Sequence, residues 1–186
     1  ITGATGLVGK NLLPLLKANE HEVIALTRNP ATAGTRLSTN CQIINWDPLL
    51  SHAKIPGLPE NIDAVVHLCG EGIANGRWTL RRKQEIYDSR IQSTRNLISQ
   101  LIKSKALPKI WVSASAIGYY KCSNETALDE TSPPDNGFLA NLCKDWETET
   151  FNAEQWEVLN VLVQHSQTDL NYPEPAEQQT ILMKAC

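Results

Sequence analysis

The sequence predicts an α/β fold in which a doubly wound parallel sheet lies between two layers of helices, three layers in all. Short apolar segments alternate with amphipathic segments of helical period, and a glycine-rich turn stands before the first helix. The 186 residues, 41% hydrophobic and 20% charged, match one ordinary globular domain. Collagen-like, coiled-coil and disordered chains are excluded.

The elements follow in order from hydrophobic periodicity. Apolar residues at helical spacing predict a first helix over 7–17, although Pro14 lies inside it. Short runs of apolar residues predict the strands, which are expected at 22–27, 42–46, 64–68, 109–114 and 157–163. Two further helices are expected at 81–103 and 138–152, and loops at 29–40 and 48–59. Beyond Gln164 the chain is polar, and Pro175 could start a short helix through Leu182.

Charge and cysteine content narrow the function classes. The formal net charge is -3, and the basic residues are dispersed apart from the run at 81–83, so neither nucleic acid nor a membrane surface is an expected partner. The longest apolar run, 64–69, is far shorter than the roughly 20 residues that cross a bilayer. Five scattered cysteines without a C-x-x-C pair fit neither a disulfide framework nor a zinc site. We therefore expect a soluble intracellular protein that binds a small molecule.

The glycine-rich turn indicates what that molecule is. Gly3, Gly6 and Gly9 recur at a spacing of three between an incipient strand and a helix. In a dinucleotide site the first glycine permits the turn, the second admits the pyrophosphate to the backbone amides, and the third lets helix and strand pack closely. Three glycines alone also occur in ordinary turns, but the strand and helix around them favour the dinucleotide interpretation.

The end of the second strand predicts which dinucleotide. A carboxylate there would bind the ribose 2′-hydroxyl of NAD, whereas an arginine accommodates the 2′-phosphate of NADP. The sequence has Arg28 at this place and no acid beside it. NADP is therefore the predicted cofactor, with a plain solvated surface charge as the alternative for Arg28.

Several motifs, read together, resemble one family. They are ITGATG at 1–6, HLCGEGIA at 67–74 with RWT at 77–79, SR at 89–90 with Thr94, SASAIGYY at 113–120, and FLA at 138–140 with Cys143 and WE at 146–147. The chain resembles the atypical extended short-chain dehydrogenase/reductases of the NAD-dependent epimerase/dehydratase family, in the subgroup once called cell-division inhibitor homologues.

The resemblance implies a Rossmann-like sheet that binds NADP(H). It implies that the pyrophosphate lies against Gly3, Thr5, Gly6, Leu7 and Val8. It also implies that Asp47 lies near the adenine and that the cofactor ribose is beside Leu68, Cys69 and Gly70. The alternative for Asp47 is that it serves only as a turn carboxylate before Pro48. His67 is interpreted as a strand residue and no metal is expected, since no second histidine or cysteine stands at ligand spacing.

The chain departs from the wider superfamily at its catalytic pair. Hydride-transferring members use a serine and a Tyr-x-x-x-Lys pair, in which the lysine lowers the pKa of the tyrosine. Ser115 is present, but no tyrosine has a lysine four residues later, and Leu139 and Cys143 stand where the pair is expected. Tyr119 and Tyr120 are the substitute catalytic candidates. The alternative is that these two tyrosines only wall the nicotinamide pocket.

Two functions follow as hypotheses. The first is an NADP(H)-dependent oxidoreductase, epimerase or dehydratase with an unknown substrate, and the second is a module that binds NADP(H) without turnover. Residues 1–163 are expected to form the NADP-binding domain with its first strand truncated, and 164–186 a divergent tail in place of the family's substrate domain. Cys143 and the tryptophans at 78 and 146 are interpreted as packing residues.

Overall fold

The computed structural model describes residues 1–37, 41–51, 54–74, 76–121, 128–129, 131–152, 159–165 and 182–185. Their helices and strands are α1 (Leu7–Ala18), β1 (Ile24–Thr27), α2 (Pro30–Arg36), β2 (Gln42–Asn45), β3 (Ala64–His67), α3 (Leu80–Asp88), α4 (Ile91–Lys103), β4 (Ile110–Ala116), α5 (Phe138–Phe151), β5 (Leu159–His165) and β6 (Leu182–Ala185). A 3-10 turn over Ile117–Tyr119 follows β4.

The strands are parallel, as predicted. Parallel ladders join β1 to β2, β3 to β4 and β4 to β5. Thr2 links the two groups, because it pairs in parallel with Leu26 of β1 and with His67 of β3. The order across the sheet is therefore β2-β1-Thr2-β3-β4-β5, with β6 antiparallel beside β5. The predicted α/β fold is confirmed, and its strand order reverses at Thr2.

Helices cover both faces of the sheet, because successive side chains of a strand point to opposite sides. Ala25 of β1 packs with Leu13 of α1, whereas its neighbour Leu26 packs with Leu97 and Leu101 of α4. Helix α5 joins α3 and α4 in a third apolar cluster, made by Ile86, Ile91, Leu142 and Trp146. Burial of each large aliphatic side chain in these clusters contributes roughly 1.5–3 kcal/mol.

Three predicted elements differ from the structure, and the first is a loop. Helix α2 occupies most of the segment that was expected to be loop. Asn29 caps it by accepting a hydrogen bond from the Thr32 amide at 3.0 Å, and Pro30 stands at its first position, where a missing amide costs nothing. The Asn-Pro pair was thus a helix start.

The single helix predicted over 81–103 is two helices. It breaks at Ser89 and Arg90, where Ser89 Oγ accepts a hydrogen bond from the Glu71 amide at 2.9 Å and Arg90 Nη1 donates to the Glu71 carbonyl at 3.0 Å. The loop that follows β3 is therefore held at the junction of α3 and α4, and tertiary contacts override the helical period.

The short helix expected to reach Leu182 is also wrong at that residue. Leu182 begins β6, which pairs antiparallel with β5 through Val161↔Ala185 and Gln164↔Leu182. Pairing gives the outer edge of β5 hydrogen-bond partners that a helix would not supply. The rest of that predicted helix lies outside the described residues. Within the described part of the chain, every helix is too short or too polar to cross a membrane.

Candidate functional site

A cavity of about 260 Å³ opens where the strand order reverses. Its walls come from the carboxyl ends of neighbouring strands: the turn after Thr2, the end of β1, and the segments that follow β2 and β3. In open α/β sheets this crevice is the usual ligand site. Seven predicted cofactor residues line it together: Gly3, Thr5, Gly6, Arg28, Leu68, Cys69 and Gly70.

The glycine turn leaves no room for a side chain at Gly3 or at Gly9. Gly3 has a φ of +67°, and a Cβ there would lie 2.7 Å from the carbonyl carbon of Leu68. A Cβ on Gly9 would lie 2.5 Å from the Gly3 carbonyl oxygen. The turn therefore needs glycine for its backbone conformation at the first position and for close packing at both.

Helix α1 begins directly behind this turn. Gly6 is its N-cap and offers no side-chain hydrogen bond, and the first turn holds no acidic residue. The amides of that turn lack intrahelical acceptors and lie at the positive end of the helix dipole. The side chains of Leu7 and Val8 are largely exposed, and neither residue is among those that line the cavity.

Arg28 and Asp47 were the predicted contacts to the adenosine half. Arg28 is exposed at the end of β1 and lines the cavity, and within the described residues no side chain or carbonyl accepts a hydrogen bond from it. The Asp47 carboxylate instead accepts the amide of Leu49 at 3.0 Å. Trp46, Pro48 and Leu49 line the cavity around it, but Asp47 itself is outside the wall.

Hydrogen bonds to the side chain of Thr2 hold the segment that follows β3. The amides of Leu68 and Cys69 both donate to Thr2 Oγ1, at 3.1 and 3.2 Å. The ring of His67 is fully buried, and burial lowers its pKa to about 3. Burial also raises the pKa of the Cys69 thiol, which donates to Ser93 Oγ at 3.7 Å. Among the described residues there is no cluster of histidine, cysteine and acidic side chains that could hold a metal ion.

The cavity contains residues that the sequence did not single out as site residues. Glu71 and Ser89 line it, and behind them Arg90 is a nearly buried guanidinium whose pKa is lowered by burial. Arg90 lies over the ring of Trp146, with its Cζ 5.3 Å from the ring centroid. Ser89 and Arg90 were part of the sequence motifs, but the motifs did not show their structural role. The structure shows that both side chains bind the backbone of Glu71.

The three catalytic candidates lie after or within β4, away from the cavity walls. Ser115 is buried, and its hydroxyl donates to Glu147 Oε1 of α5 at 2.5 Å. The rings of Tyr119 and Tyr120 are in contact edge to face, with centroids 5.0 Å apart. None of the three is among the residues that line the described cavity.

The positions that replace the Tyr-x-x-x-Lys pair are apolar packing sites. Leu139 packs against the cluster of α3, α4 and α5, and its Cβ is 3.4 Å from where a Cβ on Gly118 would lie. Cys143 is buried, and burial, together with the nearby Glu147, raises the pKa of its thiol to about 11. Neither residue can serve as a base near neutral pH.

Comparison with known proteins identifies a family of nucleotide-dependent enzymes, in agreement with the glycine turn and the cavity behind it. The model of the NAD dependent epimerase/dehydratase family matches residues 1–165. An epimerase family protein of Mycobacterium bovis is 36% identical over 155 residues, which cover 83% of this chain and 48% of that protein. The human Epimerase family protein SDR39U1 is 35% identical over 150 residues, 79% of this chain and 46% of the relative. The chain spans about half the length of the relatives it matches.

Solved structures are similar too. The crystal structure of human SDR39U1 (isoform 2) with NADPH has a TM-score of 0.65 and 36% identity, and the match covers 80% of this chain and 47% of that one. The UDP-glucuronic acid 4-epimerase of Bacillus cereus in complex with NAD has a TM-score of 0.67 at 21% identity, over 89% of this chain and 55% of that one. At that identity the second likeness concerns the fold alone. The resemblance predicted from the motifs is confirmed.

Proposed function

This chain belongs to the NAD-dependent epimerase/dehydratase family, and we propose that the cavity at the reversal of its sheet binds NADP(H). The observation that carries the proposal is the uncapped first turn of α1 behind Gly3 and Gly6. Its amides have neither a side-chain cap nor an acidic neighbour, and Gly3 and Gly6 in the turn in front of it carry no side chain that would keep a ligand away. Such a helix end is suited to a pyrophosphate.

The remaining lining residues fit the same cofactor. Arg28 at the end of β1 supplies a charged, forked donor for a 2′-phosphate. Trp46 and Leu49 give the adenosine half apolar surface, and Leu68 to Gly70 approach the turn from the next strand. The structure of the relative SDR39U1 with NADPH supports the choice of NADP(H) over NAD(H).

Bound NADP(H) would supply a hydride donor or acceptor, so the full-length protein is proposed to act on a carbonyl or hydroxyl substrate as an oxidoreductase or epimerase. In that reaction Ser115 and one of Tyr119 and Tyr120 would hydrogen-bond the reacting oxygen. A phenol with a pKa near 10 can donate a proton there but is a poor base at neutral pH without a lysine. We further propose an intracellular location, because Cys41, Cys69 and Cys143 are free thiols in the structure.

A second function is a module that binds NADP(H) without turnover. It is favoured by the state of the groups near β4: Leu139 and Cys143 are packed, and the Ser115 hydroxyl is already hydrogen-bonded to Glu147. The cavity would then serve for sensing or storage of the cofactor.

One pair of measurements separates these functions. Titration of the full chain with NADPH and with NADH, followed by quenching of tryptophan fluorescence, should give saturable binding that is tighter for NADPH. A panel of carbonyl substrates is then tested for oxidation of NADPH. Binding with net oxidation of NADPH supports the oxidoreductase, and binding without it for any carbonyl favours the module over the oxidoreductase. The absence of saturable binding for both nucleotides would refute the proposal.

A further inference from the structure

Part of the cavity wall is apolar. Five lining residues come from α2 with its C-cap and from the segment that follows β2, and their side chains have no hydrogen-bonding group except one indole nitrogen: Ala33, Leu37, Trp46, Pro48 and Leu49. We call these five residues the adenosine wall, because they line the cavity together with Arg28, at the end proposed for the adenosine half of the cofactor.

Backbone contacts use most of the N–H groups of this wall. The amides of Ala33 and Leu37 donate to carbonyls of α2 and its N-cap, at 3.0 and 2.9 Å. The Trp46 amide donates to the Thr27 carbonyl of β1 at 2.8 Å. Pro48 has no N–H group. Only the indole of Trp46 and the amide of the remaining leucine could still serve a ligand.

Both of these remaining donors have acceptors as well. Trp46 Nε1 donates to Gln100 Oε1 of α4 at 2.7 Å, and the Leu49 amide donates to Asp47 Oδ1 at 3.0 Å. An N–H group has one proton, so neither donor can serve a ligand without giving up the bond that it makes. The ring nitrogens of adenine need donors, and the adenosine wall has none to offer.

Two buried side chains of α4 hold the segment that follows β2. Gln100 binds it at two points, because its Oε1 accepts from the Trp46 indole and its Nε2 donates to the Leu50 carbonyl at 2.9 Å. Asn96, one turn earlier, donates from Nδ2 to the Pro48 carbonyl at 2.9 Å. Gln100 is 1% exposed and Asn96 4%. These bonds direct the indole N–H and the Pro48 carbonyl at α4, so the cavity meets the apolar parts of the wall.

Asp47 is the carboxylate that the resemblance places near the adenine. It does not line the cavity, and its Oδ1 accepts the Leu49 amide. A site that hydrogen-bonds a group of its ligand discriminates strongly against an analogue without that group, whereas an apolar pocket discriminates weakly between ligands of similar shape. The adenosine wall is of the second kind.

We propose that the adenosine wall binds the base of the cofactor by apolar contact alone, and that Asn96 and Gln100 are positioning residues that hold the wall in this state. The inference rests on the proposed function. It names the part of the nucleotide that the cavity does not distinguish, which is the 6-amino group and N1 of adenine. A cofactor with another purine of the same shape should therefore be accepted.

The first test compares two cofactors that differ only at these atoms. In reduced nicotinamide hypoxanthine dinucleotide phosphate, a carbonyl replaces the 6-amino group of NADPH and N1 carries a proton. Titration of the unmodified full chain with each cofactor, followed by tryptophan fluorescence, should give Kd values within about threefold of each other. Binding of the hypoxanthine cofactor that is weaker by more than this would overturn the inference and leave Asp47 as the residue that contacts the base. No saturable binding of either cofactor would refute the proposed function and the inference with it, so the two failures are distinguishable.

The second test needs no nucleotide. Exchange of the indole protons with solvent is followed in 1H–15N spectra of the unmodified full chain, and the Trp46 signal is identified by its loss in Trp46→Phe. Because Trp46 is buried and bonded to Gln100, its indole proton should exchange far more slowly than that of Trp78, which is 41% exposed. Exchange of the two protons at the same rate would show that the donor is open to a ligand and would overturn the inference.

Matched variants test the positioning role with the two halves of the cofactor as probes. Gln100→Leu removes both bonds to the segment after β2, and we expect the Kd for 2′,5′-ADP to rise about tenfold. The Kd for reduced nicotinamide mononucleotide, which lacks the adenosine half, should stay within about twofold. Calorimetric titration measures both constants.

The control is Thr150→Val, because Thr150 is as buried as Gln100 but its hydroxyl contacts Ser113 and the Trp146 carbonyl. It should leave the Kd for 2′,5′-ADP unchanged. Equal effects of the two substitutions on 2′,5′-ADP, or equal effects of Gln100→Leu on both halves of the cofactor, would mean that Gln100 is merely structural. If Gln100→Leu does not fold, the two measurements on the unmodified chain still decide the inference.

Discussion

The glycine-turn end of the site and the end formed by β4 and α5 differ in what their polar groups already contact. At the glycine turn the amides of α1 have no cap, and no described residue accepts a hydrogen bond from Arg28. At the other end, Ser115 donates to Glu147, and Cys143 is buried as a neutral thiol. The first end keeps donors open for an anionic ligand, whereas the second has few groups ready for proton transfer.

The difference teaches that nucleotide binding and chemistry make separate demands on this fold. Binding needs backbone geometry and one cation, which glycines and an arginine supply locally. Proton transfer needs a titratable pair with matched pKa values, and here leucine and cysteine replace that pair. Substitutions at the two ends should accordingly have different consequences, and four of them sharpen the contrast.

The largest effect is expected from Gly3→Ala. A Cβ at this position would collide with the Leu68 backbone in a conformation that alanine rarely adopts. We expect NADPH affinity to fall by more than about 100-fold, or the chain to lose its fold. Gly76→Ala is the control, because Gly76 also has a positive φ, of +82°, but no atom lies within 4 Å of its Cβ position. Fluorescence titration and thermal unfolding of both variants check this, and equal behaviour would contradict the clash.

Arg28→Ala comes next. The unmodified chain should bind NADPH more tightly than NADH by about 1–3 kcal/mol, or 5- to 150-fold, and the substitution should remove most of that margin. NADH affinity should hardly change, because the glycine turn is proposed to bind the pyrophosphate, which both cofactors share. Arg36→Ala is the matched control, since Arg36 is an exposed arginine in the last turn of α2 and does not line the cavity. An undiminished preference in Arg28→Ala would make Arg28 a surface charge only.

Ser115→Ala tests the other end. Removal of the hydroxyl takes away a short bond to a buried carboxylate, which should lower the free energy of unfolding by about 1.5–3 kcal/mol. NADPH affinity should stay within about twofold, because Ser115 does not line the cavity. Denaturant unfolding and titration measure the two quantities. A large loss of affinity with unchanged stability would place Ser115 in the nucleotide site instead.

The smallest effect is expected at Cys143. Because the thiolate is the reactive form, a pKa raised to about 11 leaves almost no thiolate at pH 7–8, and alkylation should accelerate only as the pH rises toward that value. Of the two, Cys41, which is only half-buried, should be modified before Cys143 when alkylated peptides are mapped by mass spectrometry. Preferential modification of Cys143 at pH 7 would revive it as a nucleophile. Cys143→Ala should leave NADPH affinity unchanged.

Much of the architecture was predictable because it depends on local patterns. The five predicted strands and the parallel sheet follow from apolar runs that a buried strand requires, and the spacing of Gly3 and Gly6 marks the tight turn before α1. The missed helix α2 also had a local signal in Asn29 and Pro30. The role of Asp47 could not be predicted, because one carboxylate can serve a turn or a ligand, and its bond to the Leu49 amide depends on the path of the loop.

The sequence by itself determined the fold class, the glycine turn and the absence of an acid beside Arg28, because residue type and spacing alone set backbone freedom and charge. Only the tertiary structure decided where the helix over 81–103 breaks and that Ser115 faces Glu147. Each of these depends on hydrogen bonds between residues 18 to 32 positions apart in the chain. Spacing cannot specify such partners, since the packing of several elements must first bring them together.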